Sequence, residues 1–89
     1  MTKGKKVKAI DSPSFSEPVT LQNIGRFIKA RRTQQKLSTQ DTALLCDISS
    51  YTLNKIENGF EGVKFATLLR VMDALGITLR IEPWDARDA

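Results

Sequence analysis

The chain has 89 residues, of which 40% are hydrophobic and 27% are charged, and its net charge is +4. This length fits one domain with a small core, because a chain of this size buries only about 60–65% of its unfolded surface. The absence of histidine and the single cysteine exclude a disulfide, a metal-ligand set and a histidine-based acid–base pair. An enzyme is therefore the least favoured class of function, and no cofactor is expected.

The positive charge is concentrated at one end of the chain. Residues 1–36 carry nine Lys/Arg and two Asp/Glu (+7), residues 37–75 carry three and five (−2), and residues 76–89 carry two and three (−1). This asymmetry predicts a polyanionic partner. A membrane span would need about 18 consecutive apolar residues, and no such run occurs. The basic N-terminus also lacks the apolar run of a signal peptide.

Residues 1–18 are predicted to form a flexible basic arm, because the Ser/Pro-rich stretch at 11–18 resists regular structure. Its cations are Lys3, Lys5, Lys6 and Lys8. Two interpretations stay open: a solvated tail that keeps the protein soluble, or an arm that contacts phosphates or a minor groove. Residues 7–10 are a further candidate for a short strand.

The first helix is predicted over residues 19–35, with Thr20 as a candidate N-cap. Its apolar side chains fall at helical spacing: Leu21, Ile24, Phe27 and Ile28. Basic residues cover the rest of its surface. Most of them are expected to be solvated, with one or two near a DNA backbone.

The centre of the chain predicts two short helices joined by a tight turn. Ser38 is a candidate N-cap for the first, over residues 39–45, because a short hydroxyl accepts from the free N–H groups of a first turn. The expected inward side chains are Ala43 and either Leu44 or Leu45. Asp47 follows at the turn, where it tolerates a left-handed backbone, and Ile48 is expected to anchor the turn in the core. The neighbouring Cys46 is interpreted as a small core side chain, and a lone cysteine fits a reducing cytoplasm.

The third helix is predicted over residues 50–58, capped by Ser49 and ended by Gly59. Leu53 and Ile56 share its inner face. Its outer residues are polar donors: Ser50, Tyr51, Thr52, Asn54 and Lys55. A helix fits the major groove of B-DNA, and these side chains reach base edges or phosphates. The alternative is a solvated helix face, and the helix–turn–helix arrangement favours the DNA interpretation.

The fourth helix is predicted over residues 64–75 and ends at Gly76. Its core stripe is expected to be Phe65, Leu68, Leu69, Met72 and Leu75.

Apolar and polar residues then alternate over residues 77–82, which predicts a strand, and Pro83 ends this strand. One strand leaves its backbone groups unpaired, so pairing with the same strand of a second copy is expected, which gives a two-fold dimer. Pairing with residues 7–10 is the alternative. The predicted dimerisation residues are Ile77, Leu79, Ile81 and Trp84. Residues 19–83 then form the folded domain and residues 84–89 a short tail.

At this point the sequence resembles the Xre/Cro repressor-type helix-turn-helix family over roughly residues 21–79. The matching elements are Leu37-Ser38, Ala43, Ile48-Ser49, Thr52-Leu53, Ile56-Glu57-Asn58-Gly59, Leu68-Leu69 and Ala74-Leu75-Gly76. The size and the C-terminal strand look most like the HipB-type antitoxins. The resemblance implies an all-α, four-helix, lambda-repressor-like domain with a short C-terminal strand that pairs across a dimer.

The resemblance also implies residue roles. Base contacts are implied for Ser50, Tyr51, Thr52 and Lys55, backbone or phosphate contacts for Ser38, Thr39 and Asn58, and an internal ion pair for Arg32 and Glu57. The chain departs from the family's pattern at Thr39, usually Gln, with Gln40 following it, at Asp47, usually Gly, and at Lys64, usually a Ser cap. The full predicted DNA-binding set is Ser38, Thr39, Gln40, Ser49, Ser50, Tyr51, Thr52, Asn54, Lys55 and Asn58.

The function that these observations and the resemblance predict is a cytoplasmic, dimeric, sequence-specific DNA-binding repressor. It would bind an inverted-repeat operator, autoregulate its operon and pair with a HipA-type serine/threonine kinase toxin. Two alternatives stay open: a stand-alone regulator without a toxin partner, and a protein-binding kinase inhibitor whose DNA binding is vestigial.

Overall fold

Four helices and no strands make up the part of the chain that the computed structural model describes, residues 7–85. The helices are α1 Leu21–Gln34, α2 Thr39–Cys46, α3 Ser50–Glu57 and α4 Phe65–Ala74. All four predicted helices are present, and each end lies within two residues of its predicted position. The all-α architecture is therefore confirmed. None of these helices has the length and apolar character needed to cross a bilayer.

The helix starts follow from local hydrogen bonds. At each of the three predicted N-caps, the hydroxyl of Thr20, Ser38 or Ser49 accepts the backbone N–H three residues later at 3.0 Å. Such a cap contributes about 1 kcal/mol. Lys64 precedes α4 and makes no side-chain capping hydrogen bond, which agrees with the absence of a Ser cap in the sequence at this position.

A left-handed residue follows each of the four helices, including Gly76 with φ +75° after α4. Asp47 has φ +56° at the end of α2, and Gly59 has φ +72° after α3, both as predicted. Lys36 also has a positive φ, +62°, between α1 and α2, which the sequence did not indicate.

One core lies between the helices. Its buried members are Ile24, Ile28, Cys46, Leu53, Ile56, Leu68, Val71, Met72 and Leu75, with Leu37, Ile48, Val63 and Ile77 packed against it. Burying one such Leu or Ile side chain contributes about 1.5–3 kcal/mol. The predicted inner face of α3, Leu53 and Ile56, is confirmed. Of the apolar positions of α1, Ile24 and Ile28 are buried, Phe27 is half-buried and Leu21 is exposed.

Two predicted core assignments are wrong. Leu44 and Leu45 are 80% and 62% exposed, and the buried residues of α2 are Thr42, Ala43 and Cys46. In α4, Phe65 and Leu69 are exposed and Val71 is buried instead. In α2 the apolar residues are consecutive, so packing against neighbouring helices decides which of them is buried. At α4 the buried positions 68, 71, 72 and 75 keep helical spacing, but the stripe includes Val71 instead of Phe65 and Leu69.

The predicted strand at residues 77–82 is not formed within residues 7–85. A strand exists only through hydrogen bonds to a neighbouring strand, and the described single chain supplies none. The alternative partner, residues 7–10, is also not a strand, because its backbone bonds to α1 instead. Within residues 7–85, the segment 77–82 therefore has no partner strand.

Two arginine side chains support helix C-termini. Arg31 Nε donates to the Leu75 carbonyl at 2.9 Å, and Arg70 Nη1 donates to the Cys46 carbonyl at 3.2 Å. A cation at this end of a helix satisfies free carbonyls and complements the helix dipole.

Candidate nucleic-acid interface

The turn between α2 and α3 is rigidly built. After the left-handed Asp47, the Ile48 N–H donates to the Ala43 carbonyl at 3.0 Å, and the Ile48 side chain packs on the core. This confirms the predicted anchoring role of Ile48. The turn fixes α3 against α2 while leaving the outer face of α3 in solvent.

An ion pair also joins α3 to α1. Arg32 Nε lies 2.6 Å from Glu57 Oε2, and Arg32 Nη2 lies 3.1 Å from Oε1. The two side chains are only 7% and 5% exposed. The ion pair implied for these residues is therefore present, and it is buried.

A glycine lets the two helices approach closely at the same place. A Cβ at Gly25 of α1 would lie 2.7 Å from the Glu57 carbonyl oxygen and closer still to that of Ile56. Only a residue without a side chain fits there. Sequence reasoning missed this role, although a glycine inside a helical pattern is itself a signal of close packing.

The outer face of α3 carries an exposed aromatic and a cation. Tyr51 is 72% exposed, and Lys55 Nζ lies 5.5 Å from the centre of its ring. These residues are one helical turn apart, so their side chains form one unit. Asn54 is exposed beside them, and Ser50 is half-buried at the start of the helix.

Three predicted contact residues also make local hydrogen bonds. The Ser49 hydroxyl accepts the Thr52 N–H and lies 3.0 Å from Thr52 Oγ1, to which it donates. Asn58 Nδ2 donates to the Asn54 carbonyl at 2.7 Å. Thr52 keeps its own hydroxyl proton and Asn58 its amide oxygen for other partners.

The predicted residues at the start of α2 differ in exposure. Gln40 is exposed, Thr39 is half-buried, and Ser38 is buried with its hydroxyl accepting the Asp41 N–H. Ser38 is thus chiefly a helix cap. Gln40 is therefore solvent-accessible, as Tyr51 and Asn54 of α3 are. Lys36, which the predicted set omitted, is also exposed just before this helix start.

Cys46 lies away from this surface, in the core. It is 1% exposed, and burial raises the pKa of its thiol, an effect that the nearby Arg70 guanidinium partly offsets. The interpretation as a core side chain is confirmed. Within residues 7–85, no three His, Cys, Asp or Glu side chains gather as a metal site requires.

The predicted dimerisation residues differ in how deeply they are buried. Ile77 packs on the core, while Leu79, Ile81 and Trp84 are exposed, with Ile81 at 91%. The segment 77–83 borders a groove of about 760 Å³ whose other wall is formed by Phe15, Val19 and Phe27.

Comparison with known proteins agrees with this geometry. A family model described as a helix-turn-helix domain matches residues 23–82. A chain in the solved structure of a HipA-HipB-O2-O3 complex superposes with a TM-score of 0.69 at 15% identity. The match covers 80% of this chain and 100% of that one. A search of curated protein sequences finds no significant match.

Proposed function

Because the chain belongs to the helix-turn-helix domain family, we propose that it is a sequence-specific DNA-binding transcriptional repressor. The observation that carries this proposal is the outer face of α3, which carries the exposed Tyr51 and the half-buried Lys55. The core and the Arg32–Glu57 pair hold this helix in place. Such a helix fits the major groove. The proposed function is binding, and catalysis forms no part of it.

The proposed mechanism separates affinity from sequence choice. Lysine and arginine near the surface displace counterions from phosphates and supply affinity. Ser50, Tyr51, Thr52 and Lys55 contact base edges, and each good contact contributes about 1–3 kcal/mol of discrimination. Gln40, Asn54 and Asn58 contact the groove edge or the backbone. Occupation of a promoter then blocks transcription.

A gel-shift series on the DNA upstream of the gene tests this proposal. Tyr51→Ala and Lys55→Ala are each expected to weaken operator binding by about 1–3 kcal/mol, with little change on unrelated DNA. Lys29→Ala, which removes the same charge from an exposed position of α1, is the control. Binding that ignores DNA sequence and survives both α3 substitutions would refute the proposal.

The proposed active form is a homodimer on an inverted repeat. Residues 77–82 pair with the same segment of a second copy, so that two α3 helices lie about 34 Å apart, one turn of DNA. The exposed Leu79, Ile81 and Trp84 beside an open groove support this arrangement.

Light scattering on matched variants tests the dimer. Ile81→Lys places a charge on the apolar face of the segment, and Thr78→Lys places it on the opposite face. Loss of the dimer in Ile81→Lys alone is expected. A monomeric wild-type protein, or a dimer that tolerates both substitutions, contradicts the arrangement.

We further propose that the protein is the antitoxin of a HipA-type serine/threonine kinase and acts in the cytoplasm, where Cys46 stays reduced. Support comes from the likeness in fold to a chain of a HipA-HipB complex. The rival proposal is a stand-alone regulator. A kinase reading frame beside the gene, and co-purification of the two proteins, favours the antitoxin, and the absence of both favours the regulator.

A further inference from the structure

An open groove separates the N-terminal arm from the C-terminal segment 77–83. Its lining includes two core residues, Ile24 of α1 and Met72 of α4. One wall consists of arm residues 15–19 together with Phe27 of α1, and the other consists of the C-terminal segment. The groove therefore brings the two ends of the described chain to one place on the surface.

The C-terminal wall carries an apolar row that becomes uncovered as the chain leaves the core. Ile77, Leu79 and Ile81 alternate with polar residues, so an extended backbone places their side chains on one side. Ile77 packs on the core, Leu79 is 37% exposed and Ile81 is 91% exposed. Within residues 7–85, no backbone–backbone hydrogen bond involves residues 78–84. The outer side chains and the backbone of this segment are both available to a partner.

The arm supplies an aromatic side chain to the opposite wall. Phe15 packs against Phe27 with the ring centres 5.1 Å apart, yet it remains 83% exposed. The arm is fixed on both sides of this residue, because Ile10 bonds to α1 and the Asn23 side chain donates to the Pro18 carbonyl at 3.0 Å. The docked arm thus holds a phenylalanine beside the groove with most of its surface in solvent.

The exposed aromatic area matches what a subunit contact needs. Trp84 follows the C-terminal segment, is 72% exposed and does not line the groove of its own chain. An aromatic side chain buries about 150–250 Å², so covering the exposed parts of Phe15 and Trp84 in two copies removes roughly 500–800 Å² from water. A stable interface buries about 1,200–2,000 Å² in total, and a two-stranded ribbon is marginal by itself. These side chains supply a large share of the area that paired strands lack.

The charges around the groove suit a second copy of the same chain. Basic and acidic side chains both line it: Glu17, Arg80 and Glu82. In a two-fold interface the same surface meets itself, so a surface of one sign would repel its copy. The mixed signs allow Arg80 of each copy to approach a carboxylate of the other.

We propose that the groove receives residues 79–84 of a second copy, so that the N-terminal arm is part of the subunit interface. In a two-fold dimer the contact is reciprocal, and Phe15 of each copy meets Ile81 and Trp84 of the other. The inference rests on the proposed dimer and adds to it the arm and the occupant of the groove.

The protein carries its own probe for the first test, because Trp84 is its only tryptophan. Indole emission moves to shorter wavelength when the ring leaves water. A dilution series of the full-length protein, followed by emission and by light scattering, gives the dissociation constant of the dimer. The emission and the mass are expected to change over the same range of concentration.

Substitution of Phe15 tests the contribution of the arm. Phe15→Ala is expected to raise the dissociation constant by about tenfold or more, because an aromatic contact is lost at two reciprocal sites. Phe60→Ala is the control, since it truncates a phenylalanine that is 57% exposed and does not line the groove. The control is expected to leave the constant unchanged, and equal constants for the two variants overturn the proposal.

Disulfide trapping tests the contact between chains directly. Phe15→Cys and Ile81→Cys are made in separate, differently tagged chains, so that a bond between them forms only across two copies. Oxidation of the mixture is expected to give a covalent heterodimer, and Phe60→Cys mixed with Ile81→Cys is expected to give none. The native Cys46 is 1% exposed and takes no part. Absence of the Phe15→Cys heterodimer overturns the proposal.

The outcomes separate this inference from the dimer and from DNA binding. A wild-type protein that stays monomeric at every concentration overturns the proposed dimer. A dimer in which the Trp84 emission stays that of an exposed indole overturns only the arm contact, and leaves the groove to a different ligand. None of these measurements uses DNA, so they do not depend on operator binding. Circular dichroism melting confirms that the compared variants are folded.

Discussion

Arg32 and Glu57 form a buried two-point ion pair that ties α1 to the last residue of α3. The guanidinium group makes a third bond, from Nη1 to the Leu37 carbonyl at 2.8 Å, so it also holds the segment that leads into α2. One side chain thus connects the three helices that surround the turn. Breaking such a pair is costly, because it leaves one charge buried without compensation.

Glu57→Gln is the mildest way to break this pair, since it keeps the shape of the side chain. We expect the free energy of unfolding to fall by about 3 kcal/mol, measured by urea denaturation. Glu61→Gln removes the same charge from an exposed loop residue and should change stability by less than about 0.5 kcal/mol. Equal stability of the two variants would show that the pair contributes little.

The close approach of α1 to α3 at Gly25 gives a second prediction. Alanine normally favours a helix over glycine by about 1 kcal/mol, but a Cβ at Gly25 meets backbone carbonyls that cannot rotate away. Gly25→Ala should therefore destabilise the protein by about 1–3 kcal/mol, seen as a lower urea midpoint. A stabilised Gly25→Ala variant would mean that the helices separate freely.

The Thr42 side chain gives a prediction of opposite sign. It is fully buried in α2, and its hydroxyl has no hydrogen-bond partner within residues 7–85. Thr42→Val keeps the shape and removes the unsatisfied group, so the free energy of unfolding should rise by about 1 kcal/mol. Thr33→Val is the matched comparison and should lower it, because the Thr33 hydroxyl bonds to the arm and to α1 carbonyls. If both substitutions lower stability alike, the Thr42 hydroxyl has a partner after all.

The buried Cys46 thiol should react slowly in the native protein. Burial raises the pKa of this thiol, so the reactive thiolate is depleted near neutral pH, and the sulfur must be exposed by local opening before a reagent reaches it. An opening free energy of about 3 kcal/mol slows labelling by roughly a hundredfold. Mass spectrometry of alkylation at pH 8, with and without urea, measures the ratio. Rapid labelling of the folded protein would contradict the buried position.

Features encoded by neighbouring residues were predictable from the sequence. The Thr20, Ser38 and Ser49 caps and the left-handed Asp47 depend on atoms a few residues away, so their signals are local. The α2–turn–α3 unit and the exposed face of α3 followed from them.

Burial in the short helices was less predictable. Residues Ala43, Leu44 and Leu45 are consecutive, so an eight-residue helix gives no period from which to choose the inward side. The contacts of α2 with α3 and α4 make that choice, and they bury Thr42 and Cys46. The docking of the arm was not predictable either, because the Ile10–Thr33 bond joins residues 23 positions apart.

Most of the described arginine side chains are engaged within the protein, which affects the charges available to bind a polyanion. Among the five arginines in residues 7–85, Arg31, Arg32 and Arg70 direct theirs to carbonyls or to Glu57. The outward field is therefore dominated by lysine, whose strongly hydrated ammonium is a point charge without the two-pronged geometry of arginine. In the proposed complex, such a surface would meet phosphates mainly through single ammonium contacts rather than through the paired hydrogen bonds of guanidinium groups.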